Sequence, residues 1–298
     1  MTALEQRIAE ELDRPAPAAI EAITREIHRR HGKSVAAILF YGSCRRTGDM
    51  SDLIDLYVLH DGHRAFHGRT MPALLNWLLP PNILFLKMPW GTPGRETSIQ
   101  AKIAILSRRQ FARRMRLATF DTTLWARFSQ PASLLYARDA ATRRWMVATL
   151  ALGIRTAVLW AVRLGPAGAS PAQYWQTLFA HTYRAELRPE RSNRPALVYD
   201  KDAAWFDTIM ALARAEPGMD GSARASTPWA VRRFCGKALN VLRLVKASFT
   251  VENGADYLAW KIERHSGVAL GLTDWQRRHP LLAAPSLLWR LRRRGAIR

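Results

Sequence analysis

The chain is short of the residues that carry covalent and metal chemistry most openly. It has two cysteines in 298 residues, Cys44 and Cys235. They give neither a metal-binding spacing nor a disulfide framework, and they fit a reducing compartment. The eight histidines show no ligand spacing. His60, His63 and His67 sit loosely beside an expected loop and read as non-ligands. Nucleophile elbow, Walker loop and GxGxxG are all missing, and there is no internal repeat. The opening residues, Met1 to Leu12, lack the apolar core of a secretory signal and read as an amphipathic helix. No uninterrupted run reaches the ~20 apolar residues of a membrane span. The best candidate, Trp145 to Trp160, is broken by Arg155 and reads as a buried or amphipathic helix. Acid is scarce as well: 24 Asp+Glu stand against 45 Lys+Arg, a formal net charge of +21. That imbalance implies a polyanionic partner, either nucleic acid or an anionic membrane surface.

Hydrophobic residues make up 48% of the chain and there are 11 Trp, enough for a sizeable core and too many for a disordered polymer. At ~100–200 residues per domain, the length suggests two domains or one elaborated one. The basic charge is mostly arginine, often beside Trp and Leu. The tail from Pro285 to Arg298 carries Leu287, Leu288, Trp289 and Leu291 among Arg290, Arg292, Arg293 and Arg294. Each basic residue close to an anionic surface contributes ~1 kcal/mol. The tail reads equally as a membrane-seeking segment and as a solvated basic terminus. The mixture of Trp, Leu and Arg favours lipid over nucleic acid.

Periodicity predicts helices over 3–13 and 17–30, a buried strand over 35–41 and a second strand over 53–59. A short helix over 71–79 is ended by Pro80-Pro81. Strands follow over 82–88 and 99–106. After Ser107 the strand signals fade, and helical patterns recur over 108–116, 142–164, 172–182, 203–214, 228–247 and 255–265. The expected fold class is α/β: a mixed sheet with helices over 1–112, followed by a mostly helical domain over 113–298 with a basic tail.

The segment Leu39-Phe-Tyr-Gly-Ser-Cys-Arg-Arg-Thr-Gly-Asp-Met-Ser-Asp-Leu-Ile-Asp-Leu-Tyr-Val-Leu59 carries the chemistry. A strand ends in a Gly-Ser turn, whose backbone N–H groups and hydroxyl suit phosphate oxygens. The next strand carries Asp55, a hard oxygen ligand for Mg²⁺. Nucleotidyltransferases related to DNA polymerase beta place a second carboxylate two residues away, because alternate residues on a strand share a face. Here Asp52 and Asp55 are three apart, so Asp52 joins the metal site only if the strand starts later or is bulged; otherwise it is a turn or cap residue. Asp61 shares the parity of Asp55 but lies ~20 Å along the strand and reads as a strand-end turn residue. Lys102, inside an apolar strand, needs either solvent or a partner. A triphosphate fits, and so does an edge-strand lysine facing water. Glu186 and Arg188 alternate with small or apolar residues; they read as a second carboxylate and a phosphate contact, or as ordinary surface charges.

These residues resemble the mitochondrial-type phosphatidate cytidylyltransferases, the translocator assembly and maintenance family of CDP-diacylglycerol synthases. The matching segments are Phe40-Tyr-Gly-Ser43, Leu53-Ile-Asp-Leu56, Leu79-Pro-Pro-Asn-Ile83, Ala101-Lys-Ile-Ala-Ile-Leu-Ser107, the Trp125…Arg127…Gln130-Pro131 region and Tyr183-Arg-Ala-Glu-Leu-Arg188. They keep the family's order over roughly residues 36–190. The resemblance implies a nucleotidyltransferase domain followed by a winged-helix-like helical domain. It implies Mg²⁺-dependent transfer of CMP from CTP to phosphatidate, giving CDP-diacylglycerol and pyrophosphate. On this pattern Asp55, with Asp52, is catalytic and metal-binding. Tyr41, Gly42, Ser43 and Lys102 hold the nucleotide, and Arg127, Glu186 and Arg188 contact substrate. The family's single aspartate in the Leu-Ile-Asp-Leu segment favours Asp55 over Asp52. Cys44 stands where the family has a second glycine, and the family's Tyr-x-Gly-Asp-x-Arg segment is changed to Tyr183-Arg-Ala-Glu-Leu-Arg188. The expected setting is cytoplasmic, peripheral on the cytoplasmic face of a membrane. Two alternatives are transfer to another acceptor (tRNA, protein or a small molecule) and a non-catalytic nucleic-acid-binding protein.

Overall fold

The computed structural model describes residues 1–50, 52–91, 97–185, 194–219, 228–250 and 271–278, with 283, 286, 289 and 290. Five strands form one mixed sheet: β1 (Val35–Tyr41), β2 (Ile54–His60), β3 (Asn82–Trp90), β4 (Thr97–Ser107) and β5 (Ser133–Ala137). Their order is β3-β4-β2-β1-β5. β2 runs parallel to β4 and antiparallel to β1, while β3 and β5 pair antiparallel with β4 and β1 at the two edges. β1 is buried at all seven positions. Its sequence, Val-Ala-Ala-Ile-Leu-Phe-Tyr, is therefore a continuous apolar run, as in strands covered on both faces.

Alternation along the strands divides the core in two. One face presents Ile38, Phe40, Leu56, Val58, Ile103 and Ile105 to Ile20, Ile23 and Ile27 of helix α2 (Ala18–His31). The other presents Leu39, Tyr41, Tyr57, Leu59, Ala104 and Leu106 to the helical half. Asp55 and Lys102 have the parity of this second face.

Short helices α3 (Ser43–Thr47), α4 (His63–His67), α5 (Thr70–Leu78), α6 (Arg108–Arg113) and α7 (Thr123–Arg127) link the strands. Ser107 ends β4 and begins α6, its side chain accepting from the Gln110 amide in a capping box. The helical half comprises α8 (Ala140–Leu164), α9 (Pro171–Ala185), α10 (Arg194–Lys201), α11 (Ala203–Arg214) and α12 (Trp229–Thr250). By length and composition α8 is apolar enough to cross a membrane, but most of it is buried inside the protein. Asp139 caps it, and it packs against α9, α11 and the N-terminal α1 (Ala3–Leu12). Arg155, the residue that breaks the apolar run, reaches the Glu216 carboxylate, with Nη2 2.9 Å from Oε1.

The fading of strand signals after Ser107 is corrected by β5. It is five residues long and partly exposed, too short for an alternating pattern to register. The sheet therefore does not end at residue 112, and α1 packs with the helical half. Among the described residues no strand follows Ala137, so none there supplies a wing. The expected helix at 255–265 and most of the basic tail lie outside the described residues.

Candidate active site

The site is built where β1, β2 and β4 run side by side. Asp55 is paired in register with Tyr41 on β1 and with Lys102 on β4. That lateral pairing brings three residues from distant parts of the chain onto one face. The Lys102 Nζ lies 3.8 Å from Asp55 Oδ1, and the Tyr41 hydroxyl donates to the same oxygen at 3.5 Å. Asp55 is partly exposed, so its carboxylate remains reachable from solvent.

Gly42 follows β1 with φ 94° and ψ −163°, a conformation that side chains rarely adopt. A Cβ there would stand 3.1 Å from Asp55 Oδ2. The backbone is thus pressed against the carboxylate, and the turn leads at once into α3. Ser43 and Cys44 open that helix, whose first amides have no partner within it. Cys44 is buried, and its thiol donates to the Leu53 carbonyl at 3.4 Å. Burial, then the charges of Asp55, Asp52 and Asp49, push this thiol up to about 11. Cys44 is therefore a packing residue, and three carboxylates share its neighbourhood. β2 begins at Ile54, so Asp52 precedes the strand and the parity objection does not apply to it.

Arg45 and Arg46 anchor the turn. Arg45 donates to Glu11 of α1 at 2.7 Å and to Ser133 of β5 at 2.9 Å. Arg46 donates to Gln130 at 2.9 Å and approaches Asp202. The two guanidinium groups thus fix the turn to α1, to β5 and to the segment before α11.

In front of Asp55 lies a cavity of ≈ 170 Å³. Its floor is Tyr41, Asp55, Tyr57, Lys102 and Ala104 from the sheet; its sides come from Ile83, Leu124 and Arg127; Asn240 and Arg243 of α12 contribute the remaining wall. Arg127 donates to the Tyr57 hydroxyl at 2.9 Å and lies over the Tyr41 ring, 5.4 Å from its centroid. Lys102, Arg127 and Arg243 thus line the cavity together with the accessible Asp55 and the buried Asp121, which pairs with Arg243, an arrangement suited to a polyanion beside a cation.

α12 is clamped in place by buried polar contacts. Arg243 donates to the Pro80 carbonyl at 2.9 Å and to Asp121, which also accepts from Arg114 at 3.3 Å. Burial pushes the Asp121 carboxyl upward; Arg243, Arg114 and the Thr123 amide more than reverse this and hold it below the usual carboxylate range. Lys246 donates to the carbonyls of Leu79 and Pro81 and to Asn82 Oδ1. Burial, with Arg243 and Arg114 nearby, pushes its ammonium down to about 7.

The predicted residues Tyr41, Gly42, Asp55, Lys102 and Arg127 are brought together. Ser43 follows in the same turn, and Asp52 lies just before β2. Glu186 and Arg188 lie outside the described residues. Asp61 sits at the far end of β2, paired with Arg108 and Arg138. His60 and His63 both meet Asn76 Oδ1, and among the described residues no three His, Cys, Asp or Glu side chains form a metal cluster. Sequence reasoning missed Tyr57, Asp121 and Arg243. Tyr57 was findable, two residues from Asp55 on the same face. Asp121 and Arg243 carry no local signal, because only tertiary packing brings them to the cavity.

No family model matches the chain, and no curated protein matches it. Among solved structures, a nucleotidyltransferase-like protein from Exiguobacterium sibiricum 255-15 aligns over 93% of this chain and 92% of that one, with 12% identity and a TM-score of 0.26. At that score the likeness carries no argument about fold or function.

Proposed function

We propose that the protein is a Mg²⁺-dependent nucleotidyltransferase, and specifically a phosphatidate cytidylyltransferase. The observation that carries the reading is the placement of Asp55: against the backbone of the Gly42-Ser43 turn, paired laterally with Lys102, and facing a cavity lined also by Arg127 and Arg243. The family resemblance over residues 36–190 supports the choice of CTP and phosphatidate.

The residues present suit Mg²⁺. This ion is commonly held by one or two carboxylates plus substrate phosphates and not by a full protein cage. The absence of a three-residue cluster among the described residues is consistent with that habit. Asp55 and Asp52 would hold the ion, and the lack of a side chain at Gly42 leaves free the space 3.1 Å from Asp55 Oδ2 that a Cβ there would take. When bound, the ion would neutralise charge on the reacting phosphates.

The protein's own part is placement. The Gly42-Ser43 turn offers amides and a hydroxyl to the triphosphate. Lys102 and Arg127 offset its charge, and Arg243 faces the same space from α12. An oxygen of the phosphatidate phosphate attacks the α-phosphorus of CTP. A new P–O–P bond forms as the bond to the β-phosphate oxygen breaks, and pyrophosphate leaves. The nucleophile is already ionised, so no general base is required, and positioning with electrostatic stabilisation supplies the rate. The lipid acceptor and the +21 charge fit a peripheral enzyme on an anionic membrane.

The test is a product assay with Mg²⁺, labelled CTP and phosphatidate-containing vesicles. Wild-type protein is expected to give lipid-extractable label. Asp55→Ala is expected to lose at least ~10²-fold in turnover while keeping its circular dichroism spectrum and melting temperature. Near-normal activity in that variant would sink the assignment. Label appearing on another acceptor, with none on phosphatidate, would keep the transferase and replace the substrate.

A further inference from the structure

α5 buries Ala73 and Asn76 against the sheet but leaves its large apolar residues in solvent. Met71 is 63% exposed, Leu74 44%, Trp77 60% and Leu78 58%. At 100° per residue these four fall within an arc of roughly 120°, so they form one continuous face. A helix this short, with four large apolar groups turned outward, is a marked departure from scattered surface apolar residues.

Basic residues border that face at both ends. Arg64 on α4 and Arg69 just before α5 are exposed on one side, with α4 packed on α5. On the other side Gln110 of α6 donates to the carbonyls of Asn76 and Trp77, each at 3.0 Å. This stitches α6 to the end of α5, and α6 exposes Arg109 and Arg113 one turn apart. The segment that follows α5, from Leu79 to Asn82 at the start of β3, is gripped by Arg243 and Lys246, and Pro81 lines the cavity. The chain leaving α5 therefore leads, through Pro81, into the lining of the candidate site.

We infer that this face of α5 is the surface by which the protein docks on an anionic bilayer. Met71, Leu74, Trp77 and Leu78 enter the boundary between headgroups and acyl chains, and Arg64, Arg69, Arg109 and Arg113 meet lipid phosphates. Charge decides between occupants. Two copies of a chain with net charge +21 repel one another, which disfavours a self-association face, whereas an anionic surface attracts both the arginines and the whole molecule. The inference deepens the phosphatidate reading and rests on it for the benefit of docking: the enzyme is held at the surface where a lipid phosphate lies.

Flotation of the full-length protein with phosphatidylcholine vesicles containing phosphatidylglycerol tests this. Binding is expected to be strong, to weaken with salt, and to drop on pure phosphatidylcholine. The double variant Leu74→Ser/Trp77→Ser is expected to lose about tenfold or more in vesicle partitioning, with unchanged turnover of a short-chain phosphatidate dispersed without vesicles. Arg109→Glu/Arg113→Glu is expected to lose binding chiefly to the anionic vesicles. Unchanged vesicle binding by Leu74→Ser/Trp77→Ser would overturn the proposal. So would a wild-type dimer that the same substitutions convert to monomer, since the face would then be a self-association surface. If no phosphatidate is turned over yet the substitutions release the protein from vesicles, docking stands and the substrate assignment falls. If phosphatidate is turned over but the substitutions leave vesicle binding intact, the reverse holds.

Discussion

At position 42 a methyl group would have to fit 3.1 Å from the Asp55 carboxylate on a backbone with φ 94°. Gly42→Ala is thus strained twice, by conformation and by contact. It is expected to cost about 1–3 kcal/mol of stability and to lower turnover further by displacing Asp55, measured by urea unfolding and by the CTP assay together. Two residues later the chemistry is inert. With its thiol pushed up to about 11 and its side chain buried, Cys44 is expected to resist iodoacetamide at pH 8 in the folded protein. One equivalent should react natively, at Cys235, and a second only in denaturant, as counted by mass spectrometry. Fast native modification of Cys44 would contradict the packing described. Sequence alone pointed to Gly42, Asp55 and Lys102 because strand alternation and turn chemistry are local. It also left Asp52 undecided, since its role depended on where β2 begins, and a start at Ile54 is set by pairing with β1 and β4.

α12 is the element whose attachment depends most on a few buried contacts. Asp121 holds both Arg114 and Arg243, and removal of one member of a buried charge cluster leaves the others uncompensated. Asp121→Ala is expected to destabilise the protein by about 3 kcal/mol and to raise hydrogen exchange in α12 more than in β1 or β2. Uniform exchange across the protein would show that α12 is held by other means. The periodic helices α2 and α11 and the long apolar α8 were legible in sequence nearly residue for residue, as were β1 and β3. The short links α3, α4 and α7 were not, because one or two turns give too few residues for a period. β5 escaped for the same reason, and it matters because Ser133 on it receives Arg45.

On the scale of the whole protein, the histidine cluster behind β2 sets an acid limit. Burial, partly offset by Asn76, pushes His60 down to about 4, and His67 likewise. The unfolded chain takes up protons near pH 6.5 while the folded chain does so only near 4. Stability is therefore full at neutral pH and declines as pH falls between those values. His60 alone should account for ~2 kcal/mol lost between pH 8 and pH 5. Urea midpoints across that range check the sign, and Asn76→Ala is expected to alter the dependence.

The cavity joins Asp55 and Lys102 to Arg243, residues from opposite parts of the chain. During synthesis the sheet residues leave the ribosome long before α12 does. A nascent chain that ends before Trp229 already carries the carboxylate, the glycine turn and the lysine, but one wall is missing and the α5 face already stands exposed. On the reading proposed here, the residues that touch the membrane are thus made before the α12 wall of the nucleotide cavity, and catalysis waits for the emergence of α12.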